Sequence, residues 1–415
     1  GSIVHRALRF AFAALAGVAL ACVAFAADYD IRTFGATGDG KTLDSDAINR
    51  AIEAAAAAGG GTVRFPAGTY LSFSVRLKSH ITLQFDAGAT LLAATPAPGF
   101  GGYDSAEPNE WGDKHQYQDF GHSHWRNSLI WGENLTNIAL IGPGLINGTK
   151  GLVRNAGFGG GRGGRGGRGR GPDGTSPPTA APAAATPTPA TPPSSNGLGN
   201  KAIALKNCRN VTLRDLSLLM CGHFALLATG VDQLTIDNVK VDTNRDGFDI
   251  DACRHVRISN CSVNAPGDDA IVLKSSYALG EARPCENITL TNCQVTGYDA
   301  GSFFDGTFKR TMERAADRDG PTGRIKFGTE SNGGFKNITI TNCVFDRSRG
   351  LALETVDGGV IEDITISNLV MRDITNAPLF LRLGNRARGP AGTPVGAIRR
   401  VHISNVTEKN ADPRY

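Results

Sequence analysis

Aspartates are concentrated in one short stretch of the sequence, residues 244–276, which reads NRDGFDIDACRHVRISNCSVNAPGDDAIVLKSS. Its acidic residues are Asp246, Asp249, Asp251, Asp268 and Asp269. Carboxylates placed side by side push the pKa of one of them up, so that one group stays protonated while another is ionised. A protonated and an ionised carboxyl group are the acid and the base that hydrolysis of a glycosidic bond needs. The stretch is therefore a candidate acid–base site.

The spacing of these aspartates matches the period of a repeat. An alternating strand, then Asn or Asp, then an apolar residue recurs in segments that end at Leu216, Val239, Cys261, Cys293, Cys343, Leu369 and Val406. The steps are 23, 22, 32, 50, 26 and 37 residues, and a minimum near 22 with irregular excess is typical of a β-solenoid whose insertions leave from one corner. Asp246 and Asp268 are 22 residues apart, and neighbouring coils lie ~4.8 Å apart. The repeat therefore predicts that Asp246 stands beside Asp268 or Asp269 on the next coil, on a solvent-facing sheet.

The repeat predicts an all-β fold, a parallel β-helix with a helix capping its N-terminal end. Strand alternation puts every second residue inside, so Cys261, Cys293 and Cys343 are expected to fill the interior rather than form disulfides. Asn at the corners tolerates left-handed backbone and can hydrogen-bond to its counterparts on adjacent coils. Residues 42–59, TLDSDAINRAIEAAAAAG, predict a helix that covers the first coil and hides its edge.

The ends and one internal segment differ in composition from the repeat. Residues 1–26 contain basic residues, an apolar run and an Ala-x-Ala end, and predict a secretory signal. We therefore expect a secreted or periplasmic monomer with one β-helix domain over residues 27–415 and no membrane association after cleavage. Residues 155–196 are rich in Gly and Arg, then in Pro, Ala and Thr, and predict a disordered insertion. Export and the lack of interleaved aromatics argue against a nucleic-acid partner, whereas attraction of an acidic polymer to the arginines stays open.

The sequence resembles glycoside hydrolase family 28, the polygalacturonases and their relatives. The resemblance rests on FGATGDGKTLDSDAINRAI, GGGTVRFPAGTY, the coil pattern, and NRDGFD followed by GDDAIVLKS. It covers nearly the whole chain after residue 26 apart from the insertion. It implies a right-handed parallel β-helix that hydrolyses pectic polysaccharide at an α-linked galacturonic acid with inversion, using no metal and no cofactor. It also implies that Asp268 is the general acid, that Asp246 and Asp269 hold and activate the water, and that Asn244 supports the site.

Two features depart from the family pattern. The Gly-His-Gly expected on the coil after Gly-Asp-Asp is missing, and TGYDAGSFFDGTF stands there. The Arg-Ile-Lys that binds the sugar carboxylate is present as Arg324 and Lys326 around an isoleucine. The number of residues between Asp269 and this segment fits the usual motif. Coil counting instead places the segment on the strand after the missing His, and it puts Ala352 and Glu354 where the family has the Arg and the Lys. We favour coil counting, and in either alignment a guanidinium and an ammonium near the aspartates suit a uronate carboxylate.

Other candidate side chains carry weaker signals. His223 could reach the sugar or be a buried, hydrogen-bonded corner residue, and Lys274 could bind substrate or neutralise the aspartates. Asp249 and Asp251 fit solvated turn positions. Possible cleft residues are Glu330, Glu354 and Asp305, and the residues expected to pack in an irregular region are Trp111, Trp125 and Trp131.

Two other function classes stay open. The first is a lyase or epimerase that uses Ca²⁺ at the acidic cluster, with Arg or Lys as base. The second is a carbohydrate-binding solenoid without catalysis, which the missing His motivates. For the hydrolase, the long loops favour exo action or a branched, rhamnogalacturonan-type substrate over plain endo-polygalacturonase activity.

Overall fold

A computed structural model describes residues 28–108, 117–118, 120–154, 197–313 and 320–410. The predicted signal, residues 1–26, the predicted insertion, residues 155–196, and Trp111 lie outside the described residues. Within those ranges, no helix has both the length and the apolar character that crossing a membrane requires.

The described chain is built from one α-helix, α1 (Ser45–Ala57), and 28 β-strands. The strands are β1 (Asp28–Asp30), β2 (Asp39–Leu43), β3 (Gly61–Phe65), β4 (Gly68–Ser72), β5 (Val75–Arg76), β6 (Ile81–Phe85), β7 (Ala89–Ala93), β8 (Ser128–Glu133), β9 (Thr136–Ile141), β10 (Leu145–Asn147), β11 (Lys201–Lys206), β12 (Arg209–Arg214), β13 (Ser217–Leu219), β14 (Phe224–Thr229), β15 (Asp232–Asp237), β16 (Lys240–Asp242), β17 (Asp246–Asp251), β18 (Arg254–Ser259), β19 (Ser262–Asn264), β20 (Ile271–Ser275), β21 (Cys285–Thr291), β22 (Gln294–Thr296), β23 (Ile325–Ser331), β24 (Phe335–Asp346), β25 (Leu351–Thr355), β26 (Val360–Arg372), β27 (Leu379–Leu383) and β28 (Ala397–Lys409).

The strands form a parallel β-helix in which one coil repeats the path of the last. β14, β15 and β16 make one coil and β17, β18 and β19 the next. Phe224 pairs in parallel with Asp246 and Asp232 with Arg254, 22 residues along the chain in both cases. β21 still pairs in register with β24 across the step of 50 residues. The predicted steps are therefore structural coils, and the predicted fold class is confirmed.

One strand of every coil contributes to a sheet that we call the floor sheet. It consists of β5, β8, β11, β14, β17, β20, β23, β25 and β27. The other nineteen strands form a second parallel hydrogen-bonded system. In it, short strands such as β13 and longer strands such as β12 run as separate rows until β24, whose twelve residues pair with both β21 and β22. The apolar core fills the space inside these walls.

Buried cysteines occupy the interior as the repeat predicts. The seven cysteines after residue 28 are free thiols and all are buried. Cys343 pairs with Leu369 on the next coil, so a thiol and an isobutyl group take the same inward position. Burial raises the pKa of the Cys343 thiol to about 12 and that of Cys208 to about 11, which keeps both neutral. The interpretation of these residues as apolar fillers is confirmed.

Asparagine side chains at the corners form a ladder along the coil stack. Asn292, Asn342, Asn368 and Asn405 have φ between 52° and 57°, in the left-handed region that Asn tolerates. The amide of Asn405 donates to Asn368 at 3.1 Å, that of Asn368 to Asn342 at 3.0 Å, and that of Asn342 to Asn292 at 3.4 Å. The corner role predicted for Asn is therefore confirmed.

Helix α1 caps the N-terminal end of the stack. It buries Ile48, Ala51, Ile52 and Ala55, which recur at helical spacing on one face, against β1, β3 and β5. The opposite face carries Glu53, whose carboxylate pairs with Lys78 at 3.1 Å. The predicted capping helix is confirmed.

We expect the seven cysteines to be unreactive while the protein is folded, because burial removes both access and the thiolate. In protein cut after Ala26, a thiol reagent should titrate almost none of them in buffer and all seven in denaturant without prior reduction. A melting temperature that falls when reductant is added would contradict this prediction, since it would require a disulfide.

Candidate active site

Three aspartates come together at the edge of the floor sheet, and we call Asp246, Asp268 and Asp269 the acidic trio. Asp246 opens β17, and the other two lie in the corner before β20. One carboxylate oxygen from each lies within 4.8 Å of the others. The N–H of Gly247 donates to the carbonyl of Asp269 at 3.0 Å, and a Cβ on Gly247 would stand 2.2 Å from the carbonyl oxygen of Ala270. Glycine at this position therefore permits the close approach of the two coils.

The trio is less exposed than the sequence suggests. Asp246 and Asp269 are each 3% exposed, whereas the side chain of Asp268 is 29% exposed. The predicted solvent-facing position is therefore wrong for two of the three. The reason is that long cationic side chains contact both, Arg245 at Asp246 and Arg324 and Lys326 at Asp269, so that Asp268 is the most exposed of the three.

Asp269 is held as an ion by two cations of the next coil. Nε of Arg324 donates to it at 2.9 Å and Nζ of Lys326 lies 3.3 Å from its other oxygen. Burial alone would raise the pKa of Asp269, but the charges of Lys326 and Arg324 lower it to about 2. Asp269 is therefore ionised at any pH at which a protein normally works.

Asp246 holds a proton near neutral pH. Burial raises the pKa of Asp246 to about 8, and the charge of Asp268 contributes in the same direction. Arg245 forms an ion pair with Asp268 and lies 3.7 Å from Asp246, so one guanidinium contacts both carboxyl groups. The trio thus combines one fixed anion, Asp269, with one protonated carboxyl group, Asp246.

Coil counting correctly places the Arg-Ile-Lys segment. Lys326 pairs with Val272 of β20, so β23 lies on the coil directly after the one that carries Gly-Asp-Asp. Ala352 of β25 pairs with Lys326 one coil further on. Glu354 of the same strand lies 3.6 Å from both Arg324 and Lys326. The two cations therefore stand between the trio and Glu354, on the coil where the resemblance expects Gly-His-Gly.

A second group of charges lies along the neighbouring floor strands β17, β20 and β23. We call Lys274, Asp249, Glu330 and His122 the buried ion cluster. Nζ of Lys274 lies 2.8 Å from Asp249, 3.4 Å from Glu330, and in contact with His122. Nε2 of His122 is 3.3 Å from Asp249. Two roles were expected for Lys274, substrate binding and neutralisation of the aspartates, and these contacts support neutralisation.

The solvated turn positions expected for Asp249 and Asp251 are wrong, since both residues are 0% exposed. Asp249 points outward from β17 but lies beneath His122, which a segment outside the repeat supplies. The carboxylate of Asp251 accepts the N–H of Ser276 at 2.7 Å and its hydroxyl at 2.5 Å. Burial raises the pKa of Asp251 to about 6.

The other candidates occupy less central positions. His223 is buried, stacks on Phe224 with ring centroids 4.1 Å apart, and lies 3.1 Å from Arg245, so it supports that guanidinium. Asn244 is exposed in the corner before β17. Asp305 is exposed and accepts the N–H of its neighbour Thr307 at 2.8 Å.

Both described tryptophans pack as expected, but only Trp125 lies in an irregular region, because Trp131 is on β8 of the floor sheet. Trp125 is buried and Trp131 is partly buried in one cluster with Ala204, Phe224 and Leu227. The indole N–H groups donate to side chains, that of Trp125 to a threonine at 3.1 Å and that of Trp131 to an aspartate at 2.8 Å. Both therefore contribute to packing in this structure.

Sequence reasoning missed Arg245 and His122. Arg245 lies between Asn244 and Asp246 in the motif itself, so the basic residue inside an acidic stretch was a usable signal. His122 gave no signal, because it belongs to a non-repeating segment 127 residues before Asp249.

The donor set of the trio does not fit a calcium ion. Ca²⁺ takes about 6–8 oxygen ligands, and two of the three carboxylates are already paired with cations, Asp268 with Arg245 and Asp269 with Arg324 and Lys326. A divalent ion would have to displace these side chains and would meet their positive charge.

Two family descriptions match parts of the chain. Residues 29–141 match the family described as rhamnogalacturonase A/epimerase, pectate lyase-like. Residues 194–313 match the family described as right handed beta helix region. The second match supports the right-handed coil that the resemblance implies.

Individual relatives are distant. The chain is 24% identical over 393 residues to a probable polygalacturonase of Vitis vinifera, and the match covers 88% of this chain and 64% of that protein. The chain therefore spans less than two thirds of that relative. A stretch of 43 residues, 10% of the chain, is 60% identical to alginate lyase 7 of Azotobacter vinelandii and covers 5% of it. A hyperthermoactive exopolygalacturonase structure from Thermotoga maritima has TM-score 0.66 at 20% identity, covering 92% of this chain and 81% of that one, which shows the fold alone.

Replacing Lys274 by Met should lower the free energy of unfolding by ~3–5 kcal/mol at neutral pH, because two buried carboxylates lose their cation. Burial would raise the pKa of Glu330, but Lys274 and then His122 hold it below the usual range. A lowered folded-state pKa contributes stability above the unfolded value of about 4.3 and loses it as pH falls. The difference between wild type and variant should therefore shrink in acid.

Urea unfolding from pH 3 to pH 8 measures this effect. Lys336→Met is the matched control, since Lys336 is 42% exposed and pairs with Glu286 at 2.8 Å; such a surface pair should cost under about 1 kcal/mol. Equal losses in the two variants would contradict the prediction.

Proposed function

We propose that the chain is a polygalacturonase-like protein of the glycoside hydrolase family 28 kind, and that it hydrolyses α-linked galacturonic acid residues in pectic polysaccharide. The observation that carries the proposal is the acidic trio, in which one proton is available beside a permanently ionised carboxylate. We further propose that the protein is exported, since residues 1–26 have the composition of a secretory signal.

Asp268 is the member of the trio that can donate the proton. Its side chain is 29% exposed, whereas Asp246 is 3% exposed. The proton that Asp246 holds near neutral pH first passes to Asp268, which leaves Asp246 ionised. As Asp268 protonates the glycosidic oxygen, the carbon–oxygen bond breaks and Asp268 becomes ionised. Asp246 then takes a proton from the attacking water, and its raised pKa makes it an effective base. Asp246 holds one proton again, so the cycle closes without another acid.

Asp246 and Asp269 can hold the attacking water together. Their oxygens lie within 4.8 Å, and one water can bond to both because each hydrogen bond spans ~2.8 Å. One oxygen of the proposed acid, Asp268, also lies within 4.8 Å of both, whereas the acid and base of most inverting glycosidases are roughly 6.5–9.5 Å apart and those of retaining enzymes about 5–5.5 Å apart. The proposal of inversion therefore follows from the resemblance alone, with Asp246 and Asp269 acting together as the base.

Arg324 and Lys326 are the proposed carboxylate-binding residues. Their cationic groups lie between Asp269 and Glu354, one coil after the trio. A guanidinium and an ammonium on one face of a strand suit a uronate better than a neutral sugar. The sugar beside the cleaved bond is therefore placed over β23.

Exo action is favoured by what covers the floor sheet. Residues 120–127 lie over the floor sheet, where Trp125 packs against Ala204 of β11 and Leu227 of β14. His122 of the same segment contacts Asp249 of β17 and Lys274 of β20. We infer that the segment limits how far a polymer extends over β11 and β14, which favours cleavage near a chain end.

Asp268→Asn, Asp246→Asn and Asp269→Asn should each lower kcat on polygalacturonan by about 10²–10⁴-fold, the usual contribution of an acid–base group. Asp305→Asn is the control, because Asp305 only caps its own turn. New reducing ends should form without ultraviolet absorbance of an unsaturated product and in the presence of chelator. Absorbance that chelator abolishes would instead assign a lyase, and binding without turnover a carbohydrate-binding solenoid.

The pH profile of kcat/KM should have its limb on the alkaline side. Activity needs the proton that Asp246 holds in the free enzyme and passes to Asp268, and this proton leaves as pH rises through about 8. Asp269 stays ionised down to about pH 2, so it adds no limb between pH 4 and 7. Initial rates at low substrate between pH 4 and 10 measure this, and a profile that rises through pH 8 would contradict it.

A further inference from the structure

Arg245 connects the two carboxyl groups between which the proton passes in the proposed reaction. Nη1 of Arg245 forms an ion pair with Asp268, and Nη2 lies 3.7 Å from Asp246. Arg245 and Asp246 are adjacent at the start of β17, whereas Asp268 lies in the corner before β20, on the next coil. The guanidinium therefore bridges two coils at the point of proton passage.

The guanidinium is also held from the coil before β17. Nη2 of Arg245 is 3.1 Å from Nε2 of His223, which lies directly before β14. His223 is buried and its ring stacks on Phe224. The side chain of Arg245 is 11% exposed. A planar guanidinium with contacts on three consecutive coils has little freedom to change its position, unlike an arginine on the open surface.

The charge of Arg245 acts on the proton that Asp246 holds. Burial is the largest cause of the raised pKa of Asp246, and the charge of Arg245 opposes this rise more strongly than that of Lys274 does. The other charged or titratable groups around the two carboxyl groups are Asp249 on β17, Lys274 on β20, Asp269 before β20 with its partners Arg324 and Lys326, and His223 before β14. Replacing Arg245 alone leaves all of these groups in the chain, so a change in proton release reports on Arg245.

We propose that Arg245 is a positioning residue with two separable roles: its fork of N–H groups holds Asp268 beside Asp246 for the transfer of the proton, and its charge sets the upper pH limit of activity. This inference rests on the proposed function and adds to it a residue that itself neither gives nor takes a proton. Loss of the fork should lower kcat at every pH, whereas loss of the charge should change the pH at which activity ends.

The pH profiles of kcat and kcat/KM on polygalacturonan test both roles. The alkaline limb of Arg245→Gln should lie about 1 pH unit above that of the wild type, because an opposite charge this close typically lowers the pKa of a carboxyl group by about 1–3. At pH 6 its kcat should fall about 10–100-fold, since the acid is no longer held in place. Arg245→Lys keeps the charge without the fork, so its limb should return to near pH 8 while kcat stays lowered.

Arg257→Gln is the matched control. Arg257 is exposed on β18, on the same coil as Arg245, where its guanidinium donates to the hydroxyl of Thr235 at 3.1 Å. The control should keep both the kcat and the alkaline limb of the wild type. A limb that stays near pH 8 in Arg245→Gln would overturn the role of the charge, and a wild-type kcat in both Arg245 variants would overturn the role of the fork. Melting curves establish that each variant is folded.

NMR titration of the free protein separates this inference from the proposed function. With ¹³C-labelled aspartate carboxyl groups, the signal that disappears in Asp246→Asn reports on Asp246 without any substrate. Its midpoint should lie near pH 8 in the wild type and about 1 pH unit higher in Arg245→Gln, and it should not move in Arg257→Gln. An unchanged midpoint in Arg245→Gln would overturn the role of the charge even in an active enzyme. A wild type that cleaves no galacturonan would instead remove the proposed function and the role of the fork, while the titration would still decide the role of the charge.

Discussion

The parallel pairing of each strand with the strand one coil away determines everything else in this molecule. It fixes the distance between coils at ~4.8 Å and makes residues 22 positions apart direct neighbours in the central coils. A residue type that recurs at that interval therefore lies next to the same residue type on the adjacent coil. Apolar residues and asparagines gain from this arrangement, because they pack or hydrogen-bond in a continuous line. Carboxylates are penalised, because each places its charge beside the next.

The acidic trio exists because cations from two coils offset that penalty. Arg245 comes from the coil of Asp246, and Arg324 and Lys326 come from the coil after Asp269. These cations do not act equally on the carboxyl groups, and acid–base chemistry needs that difference. Two cations act on Asp269 and lower its pKa, whereas burial and the charge of Asp268 raise that of Asp246. Asp246 and Asp269 thus acquire different proton affinities from their positions alone.

The sequence was sufficient to predict the features that the register of the coils determines. The fold, the inward cysteines, the asparagine corners and the coil of Lys326 all follow from counting residues along a strict repeat. Contacts supplied by segments outside the repeat could not be read in this way. Asp249 looked like a solvated turn residue because nothing in its surroundings indicates that His122, from a distant segment, lies over it. The burial of Asp246 and Asp269 was missed for a similar reason, since it depends on where long side chains fold back.

The stack also has two ends, and they are unlike each other. Helix α1 covers the first coil, whereas β27 at the other end has exposed residues throughout, with Leu381 51% and Leu383 52% exposed. Each coil touches only its neighbours, so the free energy of local opening grows with the number of coils that must open together. β17 and β20 are the fifth and sixth of the nine floor strands. The reacting groups therefore lie among the middle coils of the described stack, where local opening requires the largest number of coils to open together.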